Sequence, residues 1–249
     1  MPNKLLAVVG PTGSGKTALA VALAKKFNGV IISADSRQVY EGLNIGTNKE
    51  GRAGSWEGEK ALYIDGVAQL LINVAKPGDR YTLHDWLEAS RDLLPKIWGA
   101  GKLPIVCGGT GLYVTALTEG YVPGEGRYSK VRQKVEFESL ILELTVPREE
   151  LNQRSDKRFI RVFDSVVAET SQLVDGGMPI AWLEGIGLDY RFASYFLRLT
   201  MNRELAITEF QKASKDYIRR QLTWWRHHGP TVRVANEKTA VAAVNEFLG

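Results

Sequence analysis

A run of eight residues near the start of the chain has the spacing of a loop that binds phosphate groups. It fits the pattern G-x-x-x-x-G-K-[ST] with Gly10, Pro11, Thr12, Gly13, Ser14, Gly15, Lys16 and Thr17. Glycines let several backbone N–H groups point at one anion, Lys16 adds a mobile positive charge, and the Thr17 hydroxyl is placed to coordinate Mg²⁺. The motif predicts a diphosphate or polyphosphate ligand without specifying ATP. The alternative is a glycine-rich turn between a strand and a helix.

A carboxylate, Asp35, follows the apolar run at residues 30–34. Ligands of an open parallel sheet bind at the carboxyl ends of its strands, so Asp35 is expected to face the same crevice as the phosphate-binding loop. There it could accept a proton or hold metal-bound water. The alternative is a loop aspartate that only caps local backbone.

The apolar run at residues 103–107 is followed by Gly108, Gly109, Thr110 and Gly111. In an ATPase the corresponding strand commonly ends in an aspartate that holds Mg²⁺. Glycines in its place argue weakly against an ATP-driven motor. They fit a tight turn between a strand and a helix equally well.

Basic and aromatic side chains are interleaved in RRQLTWWRHH at residues 219–228. Arginine suits phosphate groups and tryptophan suits stacking on bases, a combination that is typical of a surface that binds nucleic acid. The alternative is an amphipathic helix that buries Leu222 and Trp225 and exposes a solvated basic face.

Short apolar strands alternate with helical patterns from Lys4 to about Gly120, which predicts a parallel sheet covered by helices on both faces. Strands are expected over 5–9, 30–34 and 103–107. Helices are expected over 16–27 and from Thr82, where Asp85 completes a capping box. Residues 42–79 are rich in glycine and are predicted to be irregular and to face the substrate.

The second half of the chain is expected to be mostly helical. A strand is predicted over 140–146, a long helix from Pro147 to the glycines at 176–177, and a further helix over about 203–227. Residues 123–126 have the composition of a linker. We interpret residues 1–249 as a single α/β domain with a helical C-terminal part.

The composition excludes several classes of protein. Of the 249 residues, 44% are hydrophobic and 24% are charged, which is the balance of a soluble globular protein. The apolar runs are too short to cross a bilayer and no secretory signal is visible, so a cytoplasmic location is expected. A single cysteine, Cys107, excludes an internal disulfide and a multi-cysteine zinc site. The net charge of +4 permits an anionic partner without requiring one.

Five segments, in this order and spacing, resemble the tRNA dimethylallyltransferase (tRNA isopentenyltransferase) family: GPTGSGKT, ISADSRQVY, LNIGTNK, GKLPIVCGGTGLYVTAL and RRQLTWWR. The resemblance is dense over residues 4–120 and returns over about 139–229. It implies a P-loop NTPase-like fold. It also implies a prenyltransferase that moves a dimethylallyl group from its diphosphate to N6 of the adenosine 3′ to the anticodon of tRNA, with Mg²⁺. In the family the P-loop holds the diphosphate leaving group rather than ATP.

The resemblance also implies roles for individual residues. Lys16, Thr17 and Asp35 are expected to be catalytic, with Asp35 as the base for the exocyclic amine. The eight P-loop residues, Arg154 and Arg158 are expected to bind the diphosphate, and Thr17 is the expected Mg²⁺ ligand. The expected RNA contacts are Asp35, Ser36, Arg37, Gln38, Thr110, Arg132, Arg219, Arg220, Gln221, Thr223, Trp224 and Arg226. The partners would be tRNA and dimethylallyl diphosphate, and the protein is expected to be a monomer that does not contact membranes.

The chain departs from the family pattern in three places. Residues 121–138 stand where the family has a longer helical insertion that grips the anticodon stem, so we interpret them as a short remnant of it. The family's G-Y-K-E reads Gly187-Leu188-Asp189-Tyr190. The first arginine of its T-R-x-x-A-K-R-Q is missing from residues 213–221.

Two other functions stay open at the level of sequence. A small-molecule kinase would also use a P-loop and an aspartate after the second strand, with Asp35 acting on a substrate hydroxyl. ATP turnover would separate that enzyme from a prenyltransferase. A non-catalytic RNA-binding relic would keep the basic C-terminal run and bind no prenyl diphosphate. The presence of Lys16, Thr17, Asp35 and Thr110 argues against the relic.

Overall fold

The computed structural model describes residues 3–122, 132–228 and 231–249, and a sheet of eight strands runs through them. The strands are β1 (Lys4–Val9), β2 (Gly29–Ser33), β3 (Arg52–Trp56), β4 (Glu59–Ile64), β5 (Val67–Leu70), β6 (Leu103–Gly108), β7 (Glu138–Leu144) and β8 (Val232–Val234). Their order in the sheet is β3-β4-β5-β2-β6-β1-β7-β8. The pairs from β5 to β8 are parallel, whereas β4 is antiparallel to both of its neighbours.

Helices cover both faces of this sheet, as the sequence predicts. They are α1 (Lys16–Lys26), α2 (Leu83–Gly99), α3 (Gly111–Thr118), α4 (Arg148–Asp175), α5 (Ile180–Ile186), α6 (Leu188–Leu197), α7 (Arg203–His227) and α8 (Glu237–Leu248). Alternate residues of β1 separate the two cores. Leu5, Ala7 and Val9 pack with α2 and α3, and Leu6 and Val8 pack with α1 and α8. A third, helical layer is formed by α4, α5, α6 and α7.

Several predicted boundaries are confirmed because their local signals are strong. Thr82 caps α2, and the side chain of Asp85 accepts a hydrogen bond from the Thr82 backbone N–H at 2.6 Å, which closes the capping box. The long helix α4 begins directly after Pro147 and ends directly before Gly176. The helix predicted over about 203–227 is α7.

The prediction that residues 42–79 are irregular is wrong, because β3, β4 and β5 lie within them. These strands form two tight hairpins. Each turns on two residues with positive φ, first Glu57 and Gly58 and then Asp65 and Gly66. The sheet is therefore mixed rather than wholly parallel.

Other differences concern the ends of the chain and its middle. β7 covers 138–144 rather than 140–146, and β8, α5, α6 and α8 were not predicted. The predicted linker at 123–126 lies outside the described residues, as does half of the proposed remnant at 121–138. Among the described residues we find no helix with the length and apolar character of a membrane span.

The fully buried Trp86 supports the end of β2, two residues before Asp35. Its indole N–H donates to the Ser33 carbonyl at 2.8 Å, and its ring stacks on Tyr113 with 4.7 Å between centroids.

Trp86→Phe keeps an aromatic ring at this position but leaves the buried Ser33 carbonyl without the indole donor. We expect the free energy of unfolding to fall by about 2–4 kcal/mol, measured by urea denaturation at unchanged m-value.

The matched control is Trp98→Phe. The indole N–H of the half-buried Trp98 donates to the Lys4 carbonyl at 2.9 Å, at the start of β1, and this variant removes that bond. Its cost should be smaller because water can replace a donor at a partly exposed position. If Trp86→Phe cost no more than the control, the indole bond would not stabilise the end of β2.

Candidate functional site

The phosphate-binding loop joins β1 to α1, in the context that the motif requires. Gly13 and Gly15 have φ of 81° and 88°, a backbone conformation that residues with a Cβ rarely adopt. Ser14 Oγ is buried and, within the described part of the chain, has no hydrogen-bond partner. Lys16 Nζ makes a long contact of 3.5 Å with the Pro11 carbonyl. The loop thus offers a hydroxyl and an ammonium group that are weakly engaged by the protein itself.

Asp35 stands where β2 ends, at the same edge of the sheet. Its Oδ1 accepts from the Arg37 backbone N–H at 2.9 Å. Asp35 therefore does cap local backbone, as the alternative predicts, but it uses only Oδ1 to do so. The side chain is only partly buried, so this contact does not remove it from the crevice.

The turn at residues 108–111 is pressed against the end of β2 and therefore needs glycine. A Cβ on Gly108 would lie 2.1 Å from the Ala34 carbonyl oxygen. Thr110 then joins the two segments, because its backbone N–H donates to the Ala34 carbonyl at 3.1 Å and its Oγ1 accepts from the Ser36 N–H at 3.1 Å. The structure thus brings together the predicted residues Asp35, Ser36 and Thr110.

Helix α7 lies directly on this glycine turn. A Cβ on Gly111 would lie 2.3 Å from the ring of Trp224, and a Cβ on Gly109 would lie 2.7 Å from Gln221 Nε2. Gln221 donates to the Gly109 carbonyl and accepts from the Thr12 backbone N–H, both at 3.0 Å. One amide therefore bridges the P-loop and the glycine turn.

The predicted RNA contacts on α7 fall into two groups. Gln221 is 7% exposed and its amide is used within the protein, which favours a bridging role over a direct RNA contact. Trp224 is half-buried, and its ring stacks on His228 with 3.9 Å between centroids. The side chains that stay exposed are Arg219, Arg220, Thr223 and Arg226. Trp225 is buried, as the alternative of an amphipathic helix predicts, whereas Leu222 is only partly buried.

The two predicted diphosphate arginines lie on α4. Arg154 donates to the Gly13 carbonyl at 3.0 Å and pairs with Glu150 at 2.5 Å, so it touches the P-loop. Arg158, one turn further on, forms an ion pair with the buried Asp189 of α6. Its Nη1 is buried and has no partner among the described residues. Burial raises the pKa of Asp189, and the Arg158 guanidinium opposes that rise.

The remaining predicted contacts lie around the crevice. Arg37 is exposed, and the Gln38 side chain donates to the Thr47 carbonyl at 3.1 Å and accepts from Ser33 Oγ at 3.1 Å. Arg132 lies over the Tyr121 ring, 3.3 Å from its centroid, and 3.9 Å from Glu119.

Two groups near Asp35 were missed by the sequence analysis. Tyr217 on α7 is exposed as a residue, but local burial of its hydroxyl raises the pKa of that group, and the Asp35 carboxylate raises it further, so the two groups interact electrostatically. Lys49 donates to the Tyr40 carbonyl and to Asn73 Oδ1, and burial lowers its pKa to about 8. No short motif marks Tyr217, whereas Lys49 is the last residue of the LNIGTNK segment, and that segment was the signal that could have identified it.

The donor set fits a magnesium ion that is held largely by its substrate. Among the described residues there is no group of three or more His, Cys, Asp or Glu side chains that could hold a metal. Thr17 is exposed in the first turn of α1, where its hydroxyl can supply one oxygen. Mg²⁺ at phosphate sites commonly takes its other ligands from the phosphate and from water.

The profile of the IPP transferase family matches residues 38–139 and 125–228. The chain belongs to the IPP transferase family. It is 32% identical to a tRNA dimethylallyltransferase of Lactococcus lactis over 90% of both chains, and 29% identical to that of Streptococcus gordonii over 91% of this chain and 90% of the relative. A crystal structure of a tRNA isopentenylpyrophosphate transferase from Staphylococcus epidermidis superposes with a TM-score of 0.82 at 23% identity, covering 100% of this chain and 99% of that one.

The comparison also bears on the proposed remnant of the insertion in this IPP transferase. The Lactococcus alignment extends over 275 positions, more than the 249 residues of this chain, so that relative has residues that are absent here. The two profile matches overlap over residues 125–139. Both facts are consistent with a shortened segment at 121–138, which stays a prediction.

The half-buried Lys49 makes the stability of this site dependent on pH. Its folded pKa of about 8 lies below the ordinary value of 10.5, so the unfolded chain binds more protons between these values. The contribution of Lys49 to stability therefore rises with pH across that interval. Relative to Lys49→Met, the wild-type protein should gain about 1–2 kcal/mol of unfolding free energy between about pH 7 and about pH 9.5.

Denaturant titrations of the two proteins at both pH values measure this difference. Other titrating groups are common to both proteins and cancel. A difference that did not change with pH would mean that the Lys49 ammonium remains well hydrated in the folded state.

Proposed function

We propose that this chain transfers a dimethylallyl group from dimethylallyl diphosphate to N6 of the adenosine 3′ to the anticodon of tRNA. The observation that carries the proposal is the meeting of the P-loop, Asp35 and the glycine turn at one edge of the sheet, joined by Thr110 and Gln221. Membership of a family whose relatives are tRNA dimethylallyltransferases supports the same chemistry.

The P-loop would hold the diphosphate leaving group. Negative charge grows on the diphosphate as the allylic C–O bond breaks, and the Lys16 ammonium and the inward N–H groups stabilise it. Ser14 Oγ, which is buried without a partner in the described part of the chain, is available to donate to a phosphate oxygen. Mg²⁺ bound at Thr17 would neutralise charge on the diphosphate. Arg154 and Arg158 would approach the same anion from α4.

Asp35 would act on the acceptor. The adenine amine is a poor nucleophile because its lone pair is delocalised into the ring, so it attacks a carbon that is already losing diphosphate. The nitrogen becomes acidic as the C–N bond forms, and a carboxylate within hydrogen-bond reach can take its proton. An acceptor base that is taken out of its stack could reach this crevice, lined by Ser36, Arg37 and Gln38.

The exposed arginines of α7 would hold the tRNA backbone. They belong to the same helix as Gln221, which accepts a hydrogen bond from the P-loop, so α7 connects the RNA surface to the P-loop. The kinase alternative is less well supported, because β6 ends in Gly108 with no acid in the segment that follows it. The monomeric state, the cytoplasmic location and the use of Mg²⁺ remain parts of this proposal.

The direct test is to incubate the protein with tRNA, dimethylallyl diphosphate and Mg²⁺, and then to analyse the tRNA nucleosides by mass spectrometry. The expected product is adenosine that carries one dimethylallyl group at N6. Phosphorylation of a metabolite at the expense of ATP, with no prenylated nucleoside, would support the kinase instead.

Lys16→Ala should weaken the binding of dimethylallyl diphosphate by about tenfold to a hundredfold. The reason is the loss of one charge-assisted contact, worth about 1.5–3 kcal/mol. Isothermal titration calorimetry measures it, with Lys26→Ala, an exposed lysine in the last turn of the same helix, as the control. Equal affinities for the two variants would remove Lys16 from the diphosphate site.

Asp35→Asn keeps the shape of the side chain and its hydrogen bond to the Arg37 N–H but cannot take a proton. We expect turnover to fall by about 10²–10⁴-fold with little change in the affinity for either substrate. Single-turnover kinetics and binding measurements separate the two effects. Near-normal turnover would exclude Asp35 as the base, and a loss of diphosphate affinity would indicate that it holds metal-bound water.

Replacing Arg219, Arg220 and Arg226 with alanine should weaken tRNA binding and reduce the slope of log K against log salt by about 2–3. The control removes the same charge from exposed residues elsewhere, by changing Lys26, Arg52 and Lys238 to alanine. Filter binding at several salt concentrations measures both proteins. Indistinguishable slopes would mean that the basic face of α7 is merely solvated.

A further inference from the structure

A buried carboxylate on α4 holds the loop that follows the Asp35 segment. Glu169 is 8% exposed. Its Oε1 accepts from the backbone N–H groups of Asn44 and Ile45 at 2.8 and 3.0 Å, and its Oε2 accepts from those of Ile45 and Gly46 at 3.1 and 3.2 Å. Three successive N–H groups that converge on one point form a backbone nest, which favours an anion. The protein fills this nest with its own side chain.

Tyr190, in the first turn of α6, fixes the carboxylate from the other side. Its hydroxyl donates to Glu169 Oε2 at 2.6 Å and is buried with it. Burial and the neighbouring carboxylate raise the pKa of Tyr190, so the hydroxyl stays protonated and remains a donor. The ring lies against Gly46, where a Cβ would come within 2.6 Å of it. The contact therefore needs both a tyrosine at 190 and a glycine at 46.

Residues 44–49, which we call the 44–49 loop, connect this clamp to the acceptor side of the site. The Thr47 carbonyl accepts from Gln38 Nε2 at 3.1 Å, and Gln38 lies three residues after Asp35. Lys49, at the end of the loop, donates to the Tyr40 carbonyl and to Asn73 Oδ1, the latter at 2.5 Å. The second half of the segment from Asp35 to Tyr40 is thus tied, at Gln38 and at Tyr40, to a loop whose own position depends on Glu169.

We propose that Glu169 is a positioning residue for the acceptor adenosine. It acts through the 44–49 loop on Gln38, and through Gln38 on the segment that carries Asp35. This inference rests on the proposed function. In it, the Glu169 carboxylate fixes the position of the residues that form the acceptor half of the site. The P-loop itself is held by other contacts, those of Arg154 and of the Gln221 bridge.

The main variant is Glu169→Gln. The glutamine side chain is nearly isosteric with glutamate, but one of its two polar groups is an NH₂ donor. That group would face the N–H donors of the nest, so part of the nest would lose its acceptor. We expect the KM for tRNA to rise about tenfold or more, together with a fall in kcat. The Kd for dimethylallyl diphosphate should change by less than about twofold, since the hydrogen-bond partners of Glu169 are Asn44, Ile45, Gly46 and Tyr190 and include none of the residues assigned to the diphosphate.

Two further variants approach the same contact from other elements. Gly46→Ala forces the loop and Tyr190 apart and should reproduce the rise in KM without altering Glu169. Tyr190→Phe removes one donor and leaves the nest filled, so its effect should be in the same direction and smaller. These variants keep the test valid if Glu169→Gln folds poorly.

The matched control is Thr170→Val. Thr170 is the next residue of α4, is fully buried, and donates only within its own helix, to the Val166 carbonyl at 2.6 Å. This variant should lose thermal stability but keep the wild-type KM, kcat and diphosphate affinity. All assays are run well below the melting temperature of each protein, so that partial unfolding does not contribute.

The outcomes separate this inference from the proposed function. If Glu169→Gln lowers the melting temperature but keeps the wild-type KM for tRNA and kcat, or if it loses diphosphate affinity as strongly as tRNA affinity, the positioning role is excluded. If the wild-type protein transfers no dimethylallyl group, the proposed function fails and the variants are not needed to decide it. A selective rise in the KM for tRNA, at an unchanged salt slope, supports the positioning role.

Discussion

The rest of the structure depends on the close packing of α7 against the glycine turn after β6. At Gly108, Gly109 and Gly111 a single added carbon would overlap the end of β2 or the side chains of α7. This close approach lets one amide, that of Gln221, reach both the turn and the P-loop. A buried amide with both of its polar atoms bonded is costly to disturb, since either partner would be left unsatisfied. The relative placement of the phosphate loop, Asp35 and the RNA-facing helix depends on it.

Helix α4 organises the opposite side of the crevice. Arg154, Arg158 and Glu169 are separated by one turn and then by about three turns, so they lie along one side of the helix. They contact, respectively, the P-loop, Asp189 and the 44–49 loop. Asp189 and Tyr190 are neighbours in the chain, and so the first turn of α6 touches both Arg158 and Glu169. The leaving-group side and the acceptor side of the crevice therefore share a single helical support.

Sequence patterns predicted the parts of this molecule where local chemistry decides the structure. The P-loop, the capping box at Thr82 and the ends of α4 each depend on residues that are close together in the chain. The hairpins over 52–70 were missed because Glu-Gly and Asp-Gly turns sit among many other glycines, which were read as irregular backbone. The structural use of Gln221 could not be predicted, because it depends on contacts across more than a hundred residues of sequence. Asp189 and Tyr190 stood out only as departures from a family pattern, and their partners on α4 became visible in three dimensions.

β1 lies in the interior of the sheet with a strand on each side, and this position has a consequence for how the protein is made. Among the described strands β1 is synthesised first, yet its neighbours are β6 and β7, which begin about a hundred or more residues later. At roughly 5–20 residues per second, an apolar strand waits for roughly 5–20 s before either edge is paired. The bond from Thr12 to Gln221 spans 209 residues, so the phosphate loop reaches its final support only when α7 has been synthesised. Until β6 and β7 have been synthesised, the apolar side chains of β1 lack the strands that bury them in the folded protein.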